Sequence, residues 1–482
     1  MKAKVIVIFI FGVLAALAVI CSIFPADGIT IGNIKLEFPN LSEVLAVKDS
    51  HNTESGDTTG VMPTDPEELF KYQLEHMKTD DKDSFMEFCQ KNPARFHMPN
   101  DDLAYFDSLF IAMENAESAP MRILHYGDSQ LEGDRISSDL RERFQASFGG
   151  SGVGMVPAVL RGGSMTLAQS SSQELPRYFA YNMGDHLSDG RYGIMCQVAH
   201  LNGSAQFTFR TTELEGVPHS KTFERATMVC SGSGSATLIA GDAHVEMRDG
   251  SGSSDKGLKF LSATLPSPVK KASISARGKM EIFGVMLDAS TGISLDNVAM
   301  RGCSGTVFTI TQRSTLEPFF NHENVRLIIL QYGGNSVPYM NKEKSIQGYK
   351  NSMIAQVKLF QSMAPKAKIL FVGPADMSTN VKGEKQTYPQ LEPTIKILKE
   401  VCAETGIAYW DLYEAMGGHN SMIKWVESNL AGKDYLHFTR EGASKVADML
   451  YNTYMMYYRF YCKRVGKSPK TMNAATDSTN KK

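Results

Sequence analysis

The stretch "ILHYGDSQLEGDR" (residues 123–135) places a small residue, a carboxylate and a hydroxyl directly after four mostly apolar residues. The apolar run predicts a buried strand, and the polar residues after it predict a turn that leads into a helix. In an α/β protein, ligands bind at the edge of the sheet where such strands end. Ser129 is therefore a candidate nucleophile, provided that distant parts of the chain supply a base and an oxyanion site.

A candidate base stands near the C-terminus, in "DYLHFTREGA". A serine hydroxyl is a poor nucleophile until a base takes its proton, and that base is usually oriented by a carboxylate. Asp434 and His437 are three residues apart, just before a predicted helix, so a short turn could bring both side chains to one place. Surface loops often contain such a pair, and the interpretation needs support from elsewhere in the chain.

Two further stretches could supply oxyanion donors. "LQYGGNSV" places Gly334 and Asn335 after the most apolar strand of the C-terminal half, and "DNVAMRGCSG" places Gly302 in another loop. The Asn335 amide and the backbone N–H groups of Gly302 and Ser129 would form a three-donor site for a tetrahedral intermediate. Each stretch is also compatible with ordinary turn chemistry, which needs no function.

The four stretches, in this order, resemble the blocks of the SGNH (GDSL-type) hydrolase superfamily. The matching residues are Gly127-Asp128-Ser129 for the first block, Gly302 for the second, Gly333-Gly334-Asn335 for the third and Asp434-Tyr435-Leu436-His437 for the last. Many members have Asp after the Asn of the third block, whereas this chain has Ser336. The resemblance covers roughly residues 120–164 and 291–460, and Gly302 is its softest assignment.

The resemblance implies a role for each residue. Ser129 would be the nucleophile, His437 the general base and Asp434 the group that orients His437, with Ser129, Gly302 and Asn335 forming the oxyanion hole. Asp128, Gln130 and Gly334 are candidate pocket residues, although Asp128 is better suited to organising the turn. No metal and no cofactor is expected.

The pattern along the chain predicts an α/β domain with an insertion. Strands alternate with helices after residue 290, which indicates a mostly parallel sheet flanked by helices, and the resemblance implies that this sheet is of the SGNH type (flavodoxin-like). Between residues 165 and 290, alternating segments separated by Gly/Ser/Asp turns predict an all-β sandwich, which the resemblance implies is a carbohydrate-binding-like module. The predicted organisation is a membrane or signal segment (1–26), a linker (27–66), a helical lead-in (67–118), the first hydrolase part (119–164), the inserted β region (165–290), the second hydrolase part (291–463) and a disordered tail (464–482).

The N-terminus is strongly apolar. "MKAK" precedes "VIVIFIFGVLAALAVICSIF", about twenty residues without a charge, which is long enough for a transmembrane helix that leaves the start of the chain in the cytoplasm. A cleaved signal peptide and a lipoprotein-type site at Cys21 are alternatives. In each case the remainder would lie outside the cytoplasm, on the periplasmic face of a bacterial inner membrane if the helix is retained.

Substrate and partners follow from resemblance and composition together. A formal net charge of −2, with no basic run interleaved with aromatics, gives no sign of a nucleic-acid partner. Envelope-anchored members with an inserted β module remove O-acetyl groups from peptidoglycan or other envelope polysaccharides, so an acetylated glycan is the expected substrate. An O-acetyltransferase that uses the same triad and a non-enzymatic glycan-binding scaffold remain alternatives, and a membrane-bound acyltransferase is a candidate partner.

Overall fold

The computed structural model describes residues 29–31, 34–36, 91–160, 162–181, 186–251 and 257–470. The chain divides into two compact units, residues 1–64 and 65–482. The predicted membrane or signal segment, most of the predicted linker and tail, and residues 67–90 of the predicted lead-in lie outside the described residues. Among the residues that are described, no helix combines the length and the apolar composition needed to cross a membrane.

The elements are named here in chain order. The strands are β1 (Ile29–Ile31), β2 (Ile34–Leu36), β3 (Phe96–His97), β4 (Met121–Gly127), β5 (Gly152–Val156), β6 (Leu167–Ser171), β7 (Arg177–Phe179), β8 (Gln197–Thr211), β9 (Phe223–Ala240), β10 (Ala243–Asp249), β11 (Lys259–Val269), β12 (Lys271–Asp288), β13 (Ile293–Ala299), β14 (Val325–Gln331), β15 (Lys368–Val372), β16 (Ser378–Val381), β17 (Glu384–Thr387) and β18 (Ala408–Trp410). The helices are α1 (Asp107–Glu114), α2 (Ser137–Phe148), α3 (Glu317–His322), α4 (Glu343–Met363), α5 (Leu391–Thr405), α6 (Leu412–Ala415), α7 (Ser421–Glu427) and α8 (Arg440–Arg464). In the first unit, β1 and β2 form an antiparallel pair.

The second unit contains a six-stranded sheet in the order β13-β4-β14-β15-β18-β3. The first five strands are parallel, and β3 pairs antiparallel with β18 at the edge. The predicted α/β fold with flanking helices is therefore confirmed, but the sheet is mixed rather than wholly parallel. The short β3 is joined to β18 by only two residue pairs and lies at an edge, which is where an otherwise parallel sheet commonly carries an antiparallel strand.

Helices cover both faces of this sheet, which explains why its central strands are continuously apolar. Every residue of β4 is buried. Ile123 and Leu327 belong to the core shared with α1, α2 and α8, whereas Leu124 and Ile328 belong to the core shared with α3, α4 and α5. The carboxyl ends of β4, β14 and β15 consequently meet at one edge, between the two helical layers.

The β-rich region forms one continuous antiparallel sheet in the order β10-β11-β9-β12-β8-β6, with β5 paired to β12 and β7 paired to β8. The sequence pattern predicted a sandwich of two sheets. Strand β5, within the predicted first hydrolase part, belongs to this sheet as well, because its residues pair with the last residues of β12.

Three glycines paired across neighbouring strands explain how the long strands of the β-rich region stay in one sheet. Gly203 of β8, Gly278 of β12 and Gly234 of β9 are paired across three neighbouring strands. A Cβ atom on Gly278 would lie 2.3 Å from the Ser233 carbonyl oxygen, so only glycine permits this close approach. Residues on both sides of these glycines, including Leu201 and Phe207, share one core, which a flat sheet of strands this long could not bury. We infer that the long strands bend here and that the sheet packs against itself.

The β-rich region and the α/β region are packed together. Phe283 of β12 belongs to the same core as the α3 residue Phe319, and Phe260 of β11 stacks on His322 with ring centroids 3.7 Å apart. At a second junction, Glu142 of α2 accepts the backbone N–H of His219 at 2.9 Å and contacts its ring Nδ1 at 2.6 Å. This hydrogen bond raises the pKa of His219 above its ordinary 6.5, against the opposing effect of partial burial.

We expect His219→Gln to lower the free energy of unfolding more at about pH 6 than at about pH 9, by about 1 kcal/mol at the lower pH. The folded-state pKa is raised, so the ion pair stabilises fully below the unfolded pKa and is lost as the pH rises through the folded value. Urea denaturation at both pH values measures the difference. His244→Gln, at an exposed position of β10 with no ion pair in the described ranges, is the control. Equal losses at both pH values would contradict the assignment.

Candidate active site

The turn after β4 presents Ser129 at the carboxyl edge of the sheet. A 3₁₀ turn, Ser129–Asp134, begins one residue after the strand ends, and Asp128 Oδ1 accepts the N–H of Gln130 at 2.9 Å. A Cβ atom on Gly127 would lie 2.7 Å from a Leu131 methyl group, so glycine allows the turn to start this close to the strand. The glycine and the aspartate of the Gly-Asp-Ser sequence thus each have a local structural cause.

The loop before α8 is folded by the Asp434 carboxylate. Its Oδ1 accepts the backbone N–H groups of Leu436 and His437, each at 3.1 Å. The Gly432 N–H closes the loop by donating to the His437 carbonyl at 2.8 Å, and Tyr435 adopts a left-handed backbone with φ +58°. One carboxylate therefore shapes the loop with one oxygen and keeps the other oxygen free to face the imidazole.

The structure brings Ser129, His437 and Asp434 into one chain of contacts. Ser129 Oγ lies 2.8 Å from His437 Nε2, and His437 Nδ1 lies 2.7 Å from Asp434 Oδ2. Partial burial alone would raise the pKa of Asp434, but the hydrogen bonds from the His437 ring and from the loop N–H groups lower it below its ordinary value. An ionised Asp434 holds a proton on Nδ1, which leaves Nε2 available to accept the proton of Ser129.

Two side chains of the first turn hold the histidine loop in place. Gln130 Nε2 donates to the Leu436 carbonyl at 2.7 Å, and Gln130 Oε1 accepts the Phe438 N–H at 3.4 Å, so its amide brackets His437 on both sides. The Arg135 guanidinium donates to the carbonyls of Ser129 at 2.7 Å and Phe438 at 3.3 Å. These bonds fix the backbones on either side of the Ser129–His437 contact.

Asn335 lies beside the nucleophile but already has partners. It belongs to the 3₁₀ turn that follows β14, and its Nδ2 donates to Asp128 Oδ2 at 3.0 Å and to the Cys303 carbonyl at 3.2 Å. Burial raises the pKa of Asp128 to about 6, although the Gln130 N–H and Asn335 act in the opposite direction. Both Asn335 N–H groups are engaged, so a reacting oxygen would have to replace one of these acceptors.

A cavity of about 210 Å³ opens at Ser129. The predicted pocket residues Asp128, Gln130 and Gly334 line it, together with Asn335. Its other lining residues are Gln331, Tyr332, Pro338, Tyr339, Gly373, Pro374, Ala375, Met377 and Leu436. Gly302 is not among them; it is exposed in the loop after β13, next to Cys303, whose carbonyl accepts from Asn335. The role predicted for Gly302 in the oxyanion hole stays a prediction.

The stretch "GPADMS" (373–378) follows β15, and its position in the sequence predicts a loop over the sheet edge that shapes the pocket; Met377 reaches the cavity from it. Sequence reasoning missed Tyr339, which is 69% exposed and reaches the cavity from the turn after β14. Its position just beyond a parallel strand was the available signal. Tyrosine is not diagnostic by itself, which is why the sequence did not single it out.

Comparisons with known proteins agree with this architecture. Residues 272–445 match the GDSL-like lipase/acylhydrolase family. This range contains Asn335, Asp434 and His437, whereas Ser129 precedes it and joins them only in the fold. No curated protein was found that matches the chain.

Among solved structures, a peptidoglycan O-acetylesterase is 19% identical, with a TM-score of 0.61 over 76% of this chain and 99% of that chain. At this identity the likeness shows a common fold. An acetyl xylan esterase is 14% identical over 33% of this chain and 80% of that chain, with a TM-score of 0.26. A family two carbohydrate esterase from Cellvibrio japonicus is 8% identical over 61% of this chain and 99% of that chain, with the same TM-score of 0.26. Residues 272–445 thus match a GDSL-like lipase/acylhydrolase domain, on a fold that this chain shares with a peptidoglycan O-acetylesterase.

Proposed function

We propose that this protein removes O-acetyl groups from an envelope glycan, peptidoglycan being the first candidate. The observation that carries the proposal is the unbroken chain of contacts from Ser129 Oγ through the His437 ring to Asp434 Oδ2 at the mouth of a cavity. The fold shared with a peptidoglycan O-acetylesterase supports the choice of substrate. The enzyme would act outside the cytoplasm, tethered or exported through its apolar N-terminal segment.

The proposed reaction has two stages. Ser129 Oγ attacks the acetyl carbonyl carbon while His437 Nε2 takes the hydroxyl proton, and Asp434 stabilises the imidazolium. The tetrahedral intermediate collapses, the bond to the sugar oxygen breaks, and His437 returns the proton to that oxygen. Water then attacks the acetyl-enzyme with His437 as base, and acetate leaves as Ser129 recovers its proton.

The developing oxyanion needs donors next to Ser129. The Ser129 N–H donates to no acceptor in the part of the chain that the structure describes, and it stands at the start of the turn. Asn335 would supply a second donor by exchanging its longer contact, to the Cys303 carbonyl, for the oxyanion.

An acetate-release assay on acetylated peptidoglycan, acetylated xylan and an aryl acetate tests the function, with glycan labelling from an acetyl donor followed in parallel. Acetate release from a glycan is expected. Labelling of the glycan without acetate release would establish the transferase instead. If the protein bound glycan but catalysed neither reaction, it would be the non-enzymatic glycan-binding scaffold.

We expect Ser129→Ala to reduce ester cleavage by about 10⁶-fold, as removal of the nucleophile does in subtilisin. The variant loses a hydroxyl at a partly exposed position, so the thermal unfolding midpoint should be unchanged. Initial rates on an aryl acetate measure the loss. Ser352→Ala, which removes a hydroxyl from a half-buried position of α4 outside the triad, is the control. A variant that retained a tenth of the wild-type rate would remove Ser129 from the mechanism.

Asn335→Ala should lower kcat by roughly 10²–10³-fold with a smaller change in KM, because its donor is needed once the carbonyl oxygen becomes an oxyanion. The variant also removes a donor to Asp128, so stability is measured in parallel. Asn335→Asp, which replaces the donor with an acceptor of similar shape, should be at least as impaired. A change confined to KM would make Asn335 a contact of the bound ester only.

Gln130→Met should lower kcat by about tenfold or more with KM nearly unchanged, because a loosened histidine loop misplaces the base in the transition state. Gln130→Glu loses the donor to the Leu436 carbonyl while keeping the side-chain length, so it should not restore the rate. Gln347→Met, on the exposed face of α4, is the matched control. If only the KM for the polymer changed and kcat stayed normal, Gln130 would contribute to substrate binding rather than to positioning the base.

A further inference from the structure

A second and larger cavity, of about 470 Å³, lies beside the α/β region and the β-rich region. We call it the junction cavity. Its walls come from the turn after Ser129, from β5 and the loop that follows, from the β-rich region and from the end of β13. Its lining includes Glu132, Asp134, Gly163, Tyr181, Gln197 and Arg301.

The charged groups around the junction cavity neutralise one another. Arg141, fully buried, donates to both carboxylate oxygens of Asp134 at 2.9 and 3.0 Å, and the Thr166 hydroxyl donates to the same carboxylate at 2.6 Å. Near the opening, the exposed side chains of Glu132 and Arg301 lie 3.5 Å apart. Because each lining cation faces a carboxylate, the cavity offers no spare charge to a phosphate or another anion.

The remaining wall combines apolar surface with amide and phenol groups. Met155, Val156 and Leu160 contribute apolar surface, while Gln197 and Tyr181 contribute polar groups. The Gln197 side chain makes no hydrogen bond within the described ranges, so its amide can donate to and accept from a ligand. Apolar surface with a few uncharged polar groups matches a pyranose ring, which has apolar C–H faces and hydroxyls at its rim. A fatty acyl chain would leave the amide unpaired.

The position of the cavity relative to the nucleophile gives it a role. Ser129 and Gln130, at the start of the six-residue turn, line the smaller cavity, and Glu132 to Asp134, at its end, line the junction cavity. A chain whose ester is at Ser129 needs to extend only past this turn to enter the junction cavity. Resting on the proposed function, we propose that the junction cavity binds uncharged pyranose units that flank the esterified sugar of the glycan.

Gly163→Trp tests the proposal by filling the cavity. A Cβ atom on Gly163 meets no atom within 4 Å, so the backbone accommodates a side chain there. We expect kcat/KM on acetylated glycan polymer to fall about tenfold or more, since binding energy from flanking sugars is lost, while kcat/KM on an aryl acetate stays within about twofold. Gly348→Trp is the matched control, because Gly348 is an exposed α4 residue with equally open surroundings outside both cavities.

Retained aryl acetate cleavage shows that the Gly163→Trp variant is folded. Unchanged cleavage of the polymer, or equal losses on both substrates, would overturn the proposal. Wild-type enzyme that released no acetate from any glycan would contradict the proposed function, and a binding measurement then still decides on the cavity.

That measurement uses calorimetry of the full-length Ser129→Ala protein with a β-1,4-linked N-acetylglucosamine tetrasaccharide. Gln197→Ala in the same background should weaken binding about tenfold, the effect of one lost hydrogen bond of about 1.4 kcal/mol. Gln347→Ala is the control. Absence of binding, or binding unaffected by Gln197→Ala, would overturn the junction cavity as a sugar site.

Discussion

The contact between Ser129 and His437 is the constraint on which the active-site architecture depends, since it joins side chains 308 residues apart at 2.8 Å. Neither loop is regular, so each backbone has to be held by hydrogen bonds other than those of a strand or a long helix. Gln130 and Arg135 supply them, because both lie in the serine turn and both bind backbone carbonyls of the histidine loop. The turn that carries Ser129 and the loop that carries His437 are thus held together by these hydrogen bonds.

At the opposite end of the sheet, a buried arginine holds distant parts of the chain together. Arg122 of β4 contacts the carboxylates of Asp288, Asp296 and Glu323 and so connects the end of β12 with β13 and α3. Burial raises the pKa of Asp296 to about 6 despite Arg122, whereas the pKa of Glu323 is lowered to about 2, because Arg122 outweighs the effect of burial there. The β-rich region is therefore anchored on both sides by charge and core packing, and it is a structural part of the enzyme rather than an appendage.

This anchoring explains how an insertion of more than a hundred residues can separate Ser129 in the sequence from Asn335, Asp434 and His437. β4 leads into the Ser129 turn and lies between β13 and β14, so the insertion leaves after β4 and returns to its neighbour β13. The sheet edge at Ser129 is unaffected, because the β-rich region, which includes β5, packs beside the sheet. The same placement gives the β-rich region a wall of the junction cavity.

Local sequence determined much of this protein: the buried strands, the flanking helices such as α4 and α8, and the turn chemistry of Gly127 to Ser129 all follow from apolar periodicity and residue type. The spacing of Asp434 and His437 made them a candidate pair, and the family resemblance supported that interpretation. Only the tertiary structure decided that the long β strands form one bent sheet, that Gly302 does not line the cavity at Ser129, and that both Asn335 N–H groups have partners. Those features depend on contacts between residues far apart in the chain, which neither periodicity nor motif spacing records.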